Sequence, residues 1–161
     1  MSSPSATPTR FIGLDLHKHY LIAIAVNPAG EQTGGPWRVT LDHLEAWARQ
    51  HLTRLDAVAV EITTNTYTLY DALLPLVHSV TVVHPPHLAL ITRVPVKTDH
   101  RAALVLAQFL AKGLLPALWI PPQAVREQRA TVAQRAKFTR LSTQATDEMQ
   151  SQAPAFEGMA V

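Results

Sequence analysis

Two apolar runs separated by only three residues constrain the fold of this chain more than any other feature of its sequence. The first covers residues 11–16, and the second, rich in Leu, Ile and Val, covers residues 20–26. Because the spacer over 17–19 has the length of a hairpin turn, we expect the two runs to pair as antiparallel strands. Gly34-Gly35-Pro36 then predicts a turn, which leaves residues 37–40 as a short third strand.

The rest of the chain alternates between helical and strand patterns. The predicted elements are a helix over 41–52, a strand over 56–61, a helix over 66–76, a strand over 79–83, and helices over 98–112 and from 123 to about 150. Right-handed crossovers make strands one, four and five parallel, with strand one central and strand four beside it. The predicted fold class is therefore α/β, a mixed five-stranded sheet flanked by helices.

Composition agrees with a folded domain and excludes several kinds of site. The chain has 161 residues, of which 47% are hydrophobic and 16% charged. A chain of this length and composition can bury a hydrophobic core without disulfides or structural metals. It has no cysteine, so disulfides, thiol nucleophiles and Cys-zinc sites are excluded. No segment has the length and apolar character of a signal peptide or membrane span, so we expect a cytoplasmic protein that does not contact a membrane.

The same pattern predicts four regions along the chain. Small and polar residues at the start predict a disordered leader, and the end looks frayed. The regions are a leader over 1–9, a folded domain over 10–121, a basic helix over 122–150 and a tail over 151–161.

Three acidic residues stand in places where a carboxylate needs compensation. Asp15 lies within the first apolar strand, Glu61 ends the fourth strand, and Asp99 begins a helix with an apolar face. Neighbouring strands one and four bring Asp15 and Glu61 to one edge of the sheet, and a helix packed across that edge brings in Asp99. Clustered carboxylates repel one another, and Mg²⁺ or Mn²⁺ is the natural compensation. Two of the acids also have a structural alternative, since Asp99 suits a helix dipole and Glu61 could cap the following loop, whereas Asp15 is the hardest to explain structurally because Asp is disfavoured within a strand.

Positive charge is concentrated near the C-terminus. Five basic residues are opposed there only by Glu127, namely Arg126, Arg129, Arg135, Lys137 and Arg140. Such a patch suits a polyanion, although a solvated helix face has the same composition.

Four segments together resemble a known family. They are Phe-Ile-Gly-Leu-Asp-Leu-His-Lys at 11–18, Val-Glu-Ile-Thr at 60–63 with Tyr67 following, Val-Val-His-Pro at 82–85 and Lys-Thr-Asp at 97–99. In this order and spacing they resemble the N-terminal domain of the DEDD-type insertion-sequence transposases, which are related to the Piv and MooV DNA invertases. The resemblance covers residues 10–140 and implies a RuvC-like fold of the ribonuclease-H type.

The resemblance implies a metal-dependent DNA recombinase. Asp15, Glu61 and Asp99 would then be the catalytic acids and the ligands of Mg²⁺ or Mn²⁺, used to cleave a phosphodiester. Lys97 would contact a DNA phosphate, and the basic helix would provide a second contact with nucleic acid. Related full-length enzymes are also thought to bind a guide RNA.

Two departures from the family pattern predict impaired catalysis. The fourth acid of the family falls on Ala102, and the family's following domain, with its catalytic serine, lies beyond the length of this chain, which suggests a truncated copy. Two alternatives to a transposase nuclease domain remain open: a nucleic-acid-binding remnant without catalysis, and an interaction module that forms a homo-oligomer through its long helix. His17 and His19 alternate at a strand end, so we expect them to face opposite sides in structural or surface roles.

Overall fold

The computed structural model of the chain describes residues 7–84 and 98–151. The chain divides into two compact units, residues 1–119 and 120–161. The first unit contains, in order, β1 (Arg10–Leu16), β2 (Tyr20–Val26), β3 (Gln32–Thr40), α1 (Leu44–His51), β4 (Asp56–Glu61), α2 (Thr66–Leu73), β5 (Ser79–Val83) and α3 (Asp99–Ala111). The second unit contains α4 (Gln123–Ser151).

The five strands form one mixed sheet in the order β3-β2-β1-β4-β5. β1 pairs antiparallel with β2 and parallel with β4, and β5 adds to β4 in parallel. The predicted meander, the central position of β1 and the placement of β4 beside it are confirmed. In the β1–β4 register Leu14 lies opposite Val60, so Asp15 and Glu61 follow at the same level of neighbouring strands.

Both faces of β1 are buried. Helix α3 covers the face that carries Phe11 and Gly13, where Ala103 and Ala107 pack against the apolar residues of β2. On the opposite face Ile12 and Leu14 expose no surface. A central strand covered on both sides explains why β1 reads as an almost continuous apolar run and why a charged residue within it is costly.

Gly13 allows α3 to lie unusually close to β1. A Cβ atom at this position would stand 2.7 Å from the backbone nitrogen of Ala107 and closer still to the carbonyl oxygen of Ala103. Only a residue without a side chain permits this backbone approach. The contact fixes where the first turn of α3 meets the sheet.

Helix α3 begins and ends as its sequence predicts. The Thr98 hydroxyl accepts a hydrogen bond from the backbone N–H of Arg101 at 3.3 Å, which is the geometry of an N-cap. Gly113 follows the helix with a φ of +65°, in the left-handed region that glycine adopts without strain.

The third strand differs from the prediction. β3 runs from Gln32 to Thr40, so Gly34-Gly35-Pro36 lies inside a strand and does not form the turn that separates two elements. The register against β2 shifts at this point. The two glycines leave space that the ring of Trp37 occupies, since a Cβ at Gly34 would collide with that ring. A bulged strand therefore replaces the predicted turn.

Three other boundaries also differ. A 3-10 turn over Leu41–His43 precedes α1, which shortens the helix predicted over 41–52, and α2 ends at Leu73, before the predicted residue 76. β1 begins at Arg10, one residue before the predicted residue 11, and the N–H of the preceding Thr9 donates to the carbonyl of Leu55 at 2.9 Å. The remaining leader over 1–6 and the tail beyond 151 lie outside the described residues.

In the second unit the structure describes the helix α4. Side chains of α4 are mostly exposed over the part that the structure describes, including the large apolar residues Val132, Phe138 and Leu141. Across the described ranges, none of the helices combines the length and the apolar character needed to pass through a lipid bilayer.

Candidate metal centre

Asp15 and Asp99 approach each other at the end of β1. Asp15 is the last residue but one of β1 and points to the face that α3 covers, because it alternates in phase with Phe11 and Gly13. Asp99 is the first residue of α3. Since Ala103 lies over Gly13, one helical turn back along α3 brings Asp99 towards Asp15. The close contact at Gly13 thus sets the spacing of the two carboxylates.

His17 completes a compact group with these two acids. Its Nε2 lies 3.1 Å from Oδ2 of Asp15 and 3.3 Å from Oδ2 of Asp99. One ligand atom from each of the three residues lies within 4.8 Å of the other two, close enough to hold a single metal ion. The group is partly open, with 34%, 19% and 45% of the His17, Asp15 and Asp99 side chains exposed.

The sequence interpretation missed His17. It assigned His17 and His19 to opposite faces in structural or surface roles, but residues two apart in a strand share a face, and both histidines lie in the connection between β1 and β2. The informative spacing is Asp15 to His17, because two residues along an extended chain return to the same face. The backbone N–H of His17 also donates to the carbonyl of Tyr20 at 2.8 Å, which closes the hairpin and keeps the imidazole beside Asp15.

Tyr20 contacts both His17 and Asp99. Its ring stacks on the imidazole of His17 with centroids 4.6 Å apart and an interplanar angle of 19°. Its hydroxyl donates a hydrogen bond to Oδ2 of Asp99 at 3.1 Å. The guanidinium of Arg38 lies 4.0 Å from the centre of the same ring. These contacts fix the plane of the imidazole and the orientation of the Asp99 carboxylate.

Glu61 is a neighbour of this group and not a member of it. It follows Val60, the partner of Leu14, and so stands beside Asp15 on the same face of the sheet. The group of ligand atoms within 4.8 Å of one another comprises Asp15, His17 and Asp99 among the described residues. Of the three acids that were predicted to converge, Asp15 and Asp99 lie within one group of ligand atoms, and Glu61 lies beside Asp15 on the neighbouring strand.

Burial raises the pKa of two of these carboxyls. Loss of solvation is the largest cause for Asp15, and the charge of Asp99 adds to it, while His17 opposes it through its charge and its hydrogen bond. Burial also raises the pKa of Glu61, with a further increase from the charge of Asp15. Ionised carboxylates are therefore disfavoured here, and a bound cation would relieve that cost.

A cleft of about 490 Å³ opens beside the group. It lies between the β1–β2 hairpin and the loop after β4, at the carboxyl ends of the parallel strands, where ligands of open α/β sheets bind. The residues that line it are mainly polar or basic: Leu16, His17, Lys18, His19, Thr63, Thr64 and Asn65. A phosphate-bearing ligand in this cleft would lie next to the acids.

The residue to which the resemblance assigns the fourth acid carries only a methyl group. Ala102 lies in the first turn of α3 and is half-buried, and its side chain offers no ligand atom. Lys97, the predicted phosphate contact, lies outside the described residues.

The predicted basic residues all lie on α4. Arg129, Arg135, Lys137 and Arg140 are exposed, and Nε of Arg126 donates to the carbonyl of Pro121 at 3.0 Å. At about 100° per residue, four of the five fall within an arc of about 80°, and Arg135 points to the other side. The helix thus has a basic face formed by Arg126, Arg129, Lys137 and Arg140, which we call the basic face of α4.

Comparison with known proteins identifies the family. The family model of DEDD transposases of the IS110 type, described as transposase, matches residues 12–154. No curated protein matches the chain. The matched range contains the sheet except for the first two residues of β1, together with the acidic group and α4. The mixed five-stranded sheet flanked by helices agrees with the ribonuclease-H-like fold of this domain. The chain therefore belongs to the IS110-type family of DEDD transposases.

Proposed function

We propose that this chain is the DNA-cleaving domain of its transposase and that Asp15, Glu61 and Asp99 are the catalytic acids. The observation that carries the proposal is the meeting of Asp15 and Asp99, from a strand and a helix far apart in sequence, beside an open cleft. DNA is the substrate that a transposase implies. Half-buried carboxylates that disfavour their own ionisation are the donor set expected for a hard divalent cation, Mg²⁺ or Mn²⁺.

The residues of the chain have distinct parts in this mechanism. Asp15 and Asp99 would hold the cation, and Glu61 would offer a further carboxylate beside Asp15. Tyr20 keeps the Asp99 carboxylate in position through its 3.1 Å hydrogen bond. A divalent cation there would polarise the scissile phosphodiester and activate the attacking oxygen. Lys18 and the polar residues of the cleft would receive the DNA backbone, with Lys97 as a further phosphate contact.

Ala102 limits this activity in the isolated chain. A carboxylate at that position would lie on the same face of α3 as Asp99, three residues away, where both could hold one cation. With a methyl group in its place, the site has one ligand fewer than the family pattern. We therefore expect slow cleavage or none from the chain alone, although a cation and DNA still bind.

A nicking assay on supercoiled plasmid with Mg²⁺ or Mn²⁺ tests the proposal. We expect little nicking by the natural sequence, an increase of about tenfold or more for Ala102→Asp, and loss of that gain when Asp15→Asn is added. Rapid nicking by the natural sequence would contradict the impairment. A gain in Ala102→Asp that survives Asp15→Asn would contradict the placement of the site.

The basic face of α4 supports a second function, binding of nucleic acid without cleavage. Four positive charges on one side of an exposed helix suit a phosphate backbone. Replacing Arg129 and Arg140 with Gln should weaken DNA binding and reduce its salt dependence, whereas Arg135→Gln, on the other side of the helix, should change both much less. Equal effects from both sides would refute a directional face. Competition between DNA and a structured RNA in the same assay tests a guide RNA as partner.

The apolar residues of α4 support the interaction alternative. Val132, Phe138 and Leu141 are exposed on a helix of 29 residues. At about 100° per residue, Phe138 and Leu141 lie about 60° apart and Val132 lies on the other side, so pairing with the same helix of a second copy would cover only part of these side chains. Sedimentation velocity of the natural chain and of Val132→Asp distinguishes a dimer through α4 from a monomer.

A further inference from the structure

We propose that His17 is a direct nitrogen ligand of the divalent cation and that it makes the site prefer Mn²⁺ over Mg²⁺. The inference rests on the proposed cation site and adds to it a residue that the acidic pattern does not include. One imidazole nitrogen, Nε2, faces Asp15 and Asp99 at the same time, at 3.1 and 3.3 Å. One ligand atom from each of the three residues lies within 4.8 Å of the other two.

The spacing fits a shared ion. Two adjacent ligands of an octahedral ion, each about 2.1 Å from the metal, are about 3.0 Å apart. The separations of His17 Nε2 from the two carboxylate oxygens, 3.1 and 3.3 Å, are close to that value. Both separations are therefore compatible with Nε2 and each carboxylate oxygen occupying adjacent positions around one ion.

The imidazole is held ready for this role. Stacking against Tyr20 fixes the plane of the ring, and the hydrogen bond from Tyr20 to Asp99 ties the same support to a carboxylate ligand. A ligand that is already oriented loses little freedom on binding. The partial exposure of all three side chains leaves room for water molecules and a phosphate oxygen in the remaining positions.

The chemistry of the donor set predicts the preferred ion. Mg²⁺ takes oxygen ligands, whereas first-row transition ions accept imidazole readily and bind it more tightly along the series from Mn²⁺ to Cu²⁺. A site with two carboxylates and one imidazole therefore gains affinity for Mn²⁺ from a ligand that contributes little to Mg²⁺. His17 also gives the site a third donor although Ala102 cannot supply one.

Pulsed electron paramagnetic resonance of bound Mn²⁺ tests the coordination directly, together with calorimetry for Mn²⁺ and Mg²⁺. The ¹⁴N modulation of a ligated imidazole should appear in the natural sequence and disappear in His17→Ala and His17→Gln. Affinity for Mn²⁺ should fall at least tenfold in His17→Ala while affinity for Mg²⁺ changes less than about threefold. His19→Ala is the matched control, since His19 is exposed on the same turn, and it should keep both the modulation and the affinity.

The outcomes separate this inference from the proposed function. Mn²⁺ binding without ¹⁴N modulation, or modulation that persists in both His17 variants, overturns the nitrogen ligand and leaves the carboxylate site standing. Equal losses of Mn²⁺ and Mg²⁺ affinity in His17→Ala assign His17 to orienting Asp15 and also overturn the inference. Failure of the natural sequence to bind either ion overturns the cation site itself. The Gln variant retains a hydrogen-bonding side chain and guards against a change in the hairpin.

Discussion

Replacing Gly13 with Ala should weaken cation binding without touching any ligand. Gly13 lies on β1 two residues before Asp15, and α3 crosses directly over it. A methyl group there would press on the backbone of Ala103 and Ala107, which cannot rotate away as a side chain can. The helix must therefore move outwards and take Asp99 with it.

The size of the effect follows from the contact distances. The new Cβ would lie 2.7 Å from the backbone nitrogen of Ala107 and closer still to the carbonyl oxygen of Ala103, whereas ordinary contact needs about 3.5–4.0 Å, so α3 must shift by at least about 1 Å. Overpacking of this kind costs about 1–3 kcal/mol of folding free energy. A movement of about 1 Å also lengthens the 3.3 Å separation of His17 and Asp99 beyond hydrogen-bonding reach.

Thermal unfolding and Mn²⁺ calorimetry measure the two consequences separately. Gly13→Ala should lower Tm by roughly 4–12 °C, at about 4 °C per kcal/mol for a domain of this size, and lower Mn²⁺ affinity about tenfold or more. Leu73→Ala is the matched control, because Leu73 is fully buried in α2, which contacts α1 and β5. It should lower Tm by a similar or larger amount and keep Mn²⁺ affinity. Natural Mn²⁺ affinity in a folded Gly13→Ala would refute the positioning of Asp99 by this contact.

Three further predictions concern substitutions of single residues. Burial raises the pKa of Asp15 in the folded chain, so without metal the folding stability should fall as pH rises from the ordinary carboxyl pKa through the raised one. At pH 7 in EDTA, Asp15→Asn should therefore have a higher Tm than the natural chain. A lower Tm of the variant would contradict this sign. Ala102→Asp should bind Mn²⁺ about tenfold more tightly by calorimetry, and unchanged affinity would count against a ligand position one turn from Asp99. Asp56→Ala should lower the free energy of unfolding in urea by about 3 kcal/mol, since Asp56 is 1% exposed and accepts two 2.7 Å hydrogen bonds from Arg10. A loss below about 1 kcal/mol would show that the pair is dispensable.

The arrangement of the sheet could be predicted from periodicity and connection length. The three-residue spacer after β1 specifies an antiparallel hairpin, and the helices between later strands specify parallel crossovers. Thr98 and Gly113 likewise marked the ends of α3. These features depend on local chemistry and on topology, which the order of residues carries directly.

The start of the third strand could not be predicted, because it depends on packing. Gly34 and Gly35 favour a turn locally, but in the folded chain the ring of Trp37 occupies the space that they leave. Pairing with β2 then continues through a change of register. The contact between Trp37 and the glycines exists only once the hairpin has formed, so tertiary structure overrides the local preference.

The candidate site was predicted in part. Asp15 was recognised because a carboxylate within an apolar strand calls for compensation, and Asp99 because it begins a helix with an apolar face; the structure brings them together. His17 was missed since a histidine carries no comparable cost. Its role becomes visible through the hairpin hydrogen bond and through Tyr20, whose ring and hydroxyl contact His17 and Asp99. Neither contact follows from spacing alone.

Anomalous diffraction at the manganese edge, from crystals of the chain grown with Mn²⁺, tests the central claim most directly. The claim is that the end of β1 and the start of α3 form a divalent cation site. We predict a strong anomalous peak between the carboxylates of Asp15 and Asp99, within bonding distance of both. Full occupancy elsewhere on the chain with no peak at these carboxylates would contradict it.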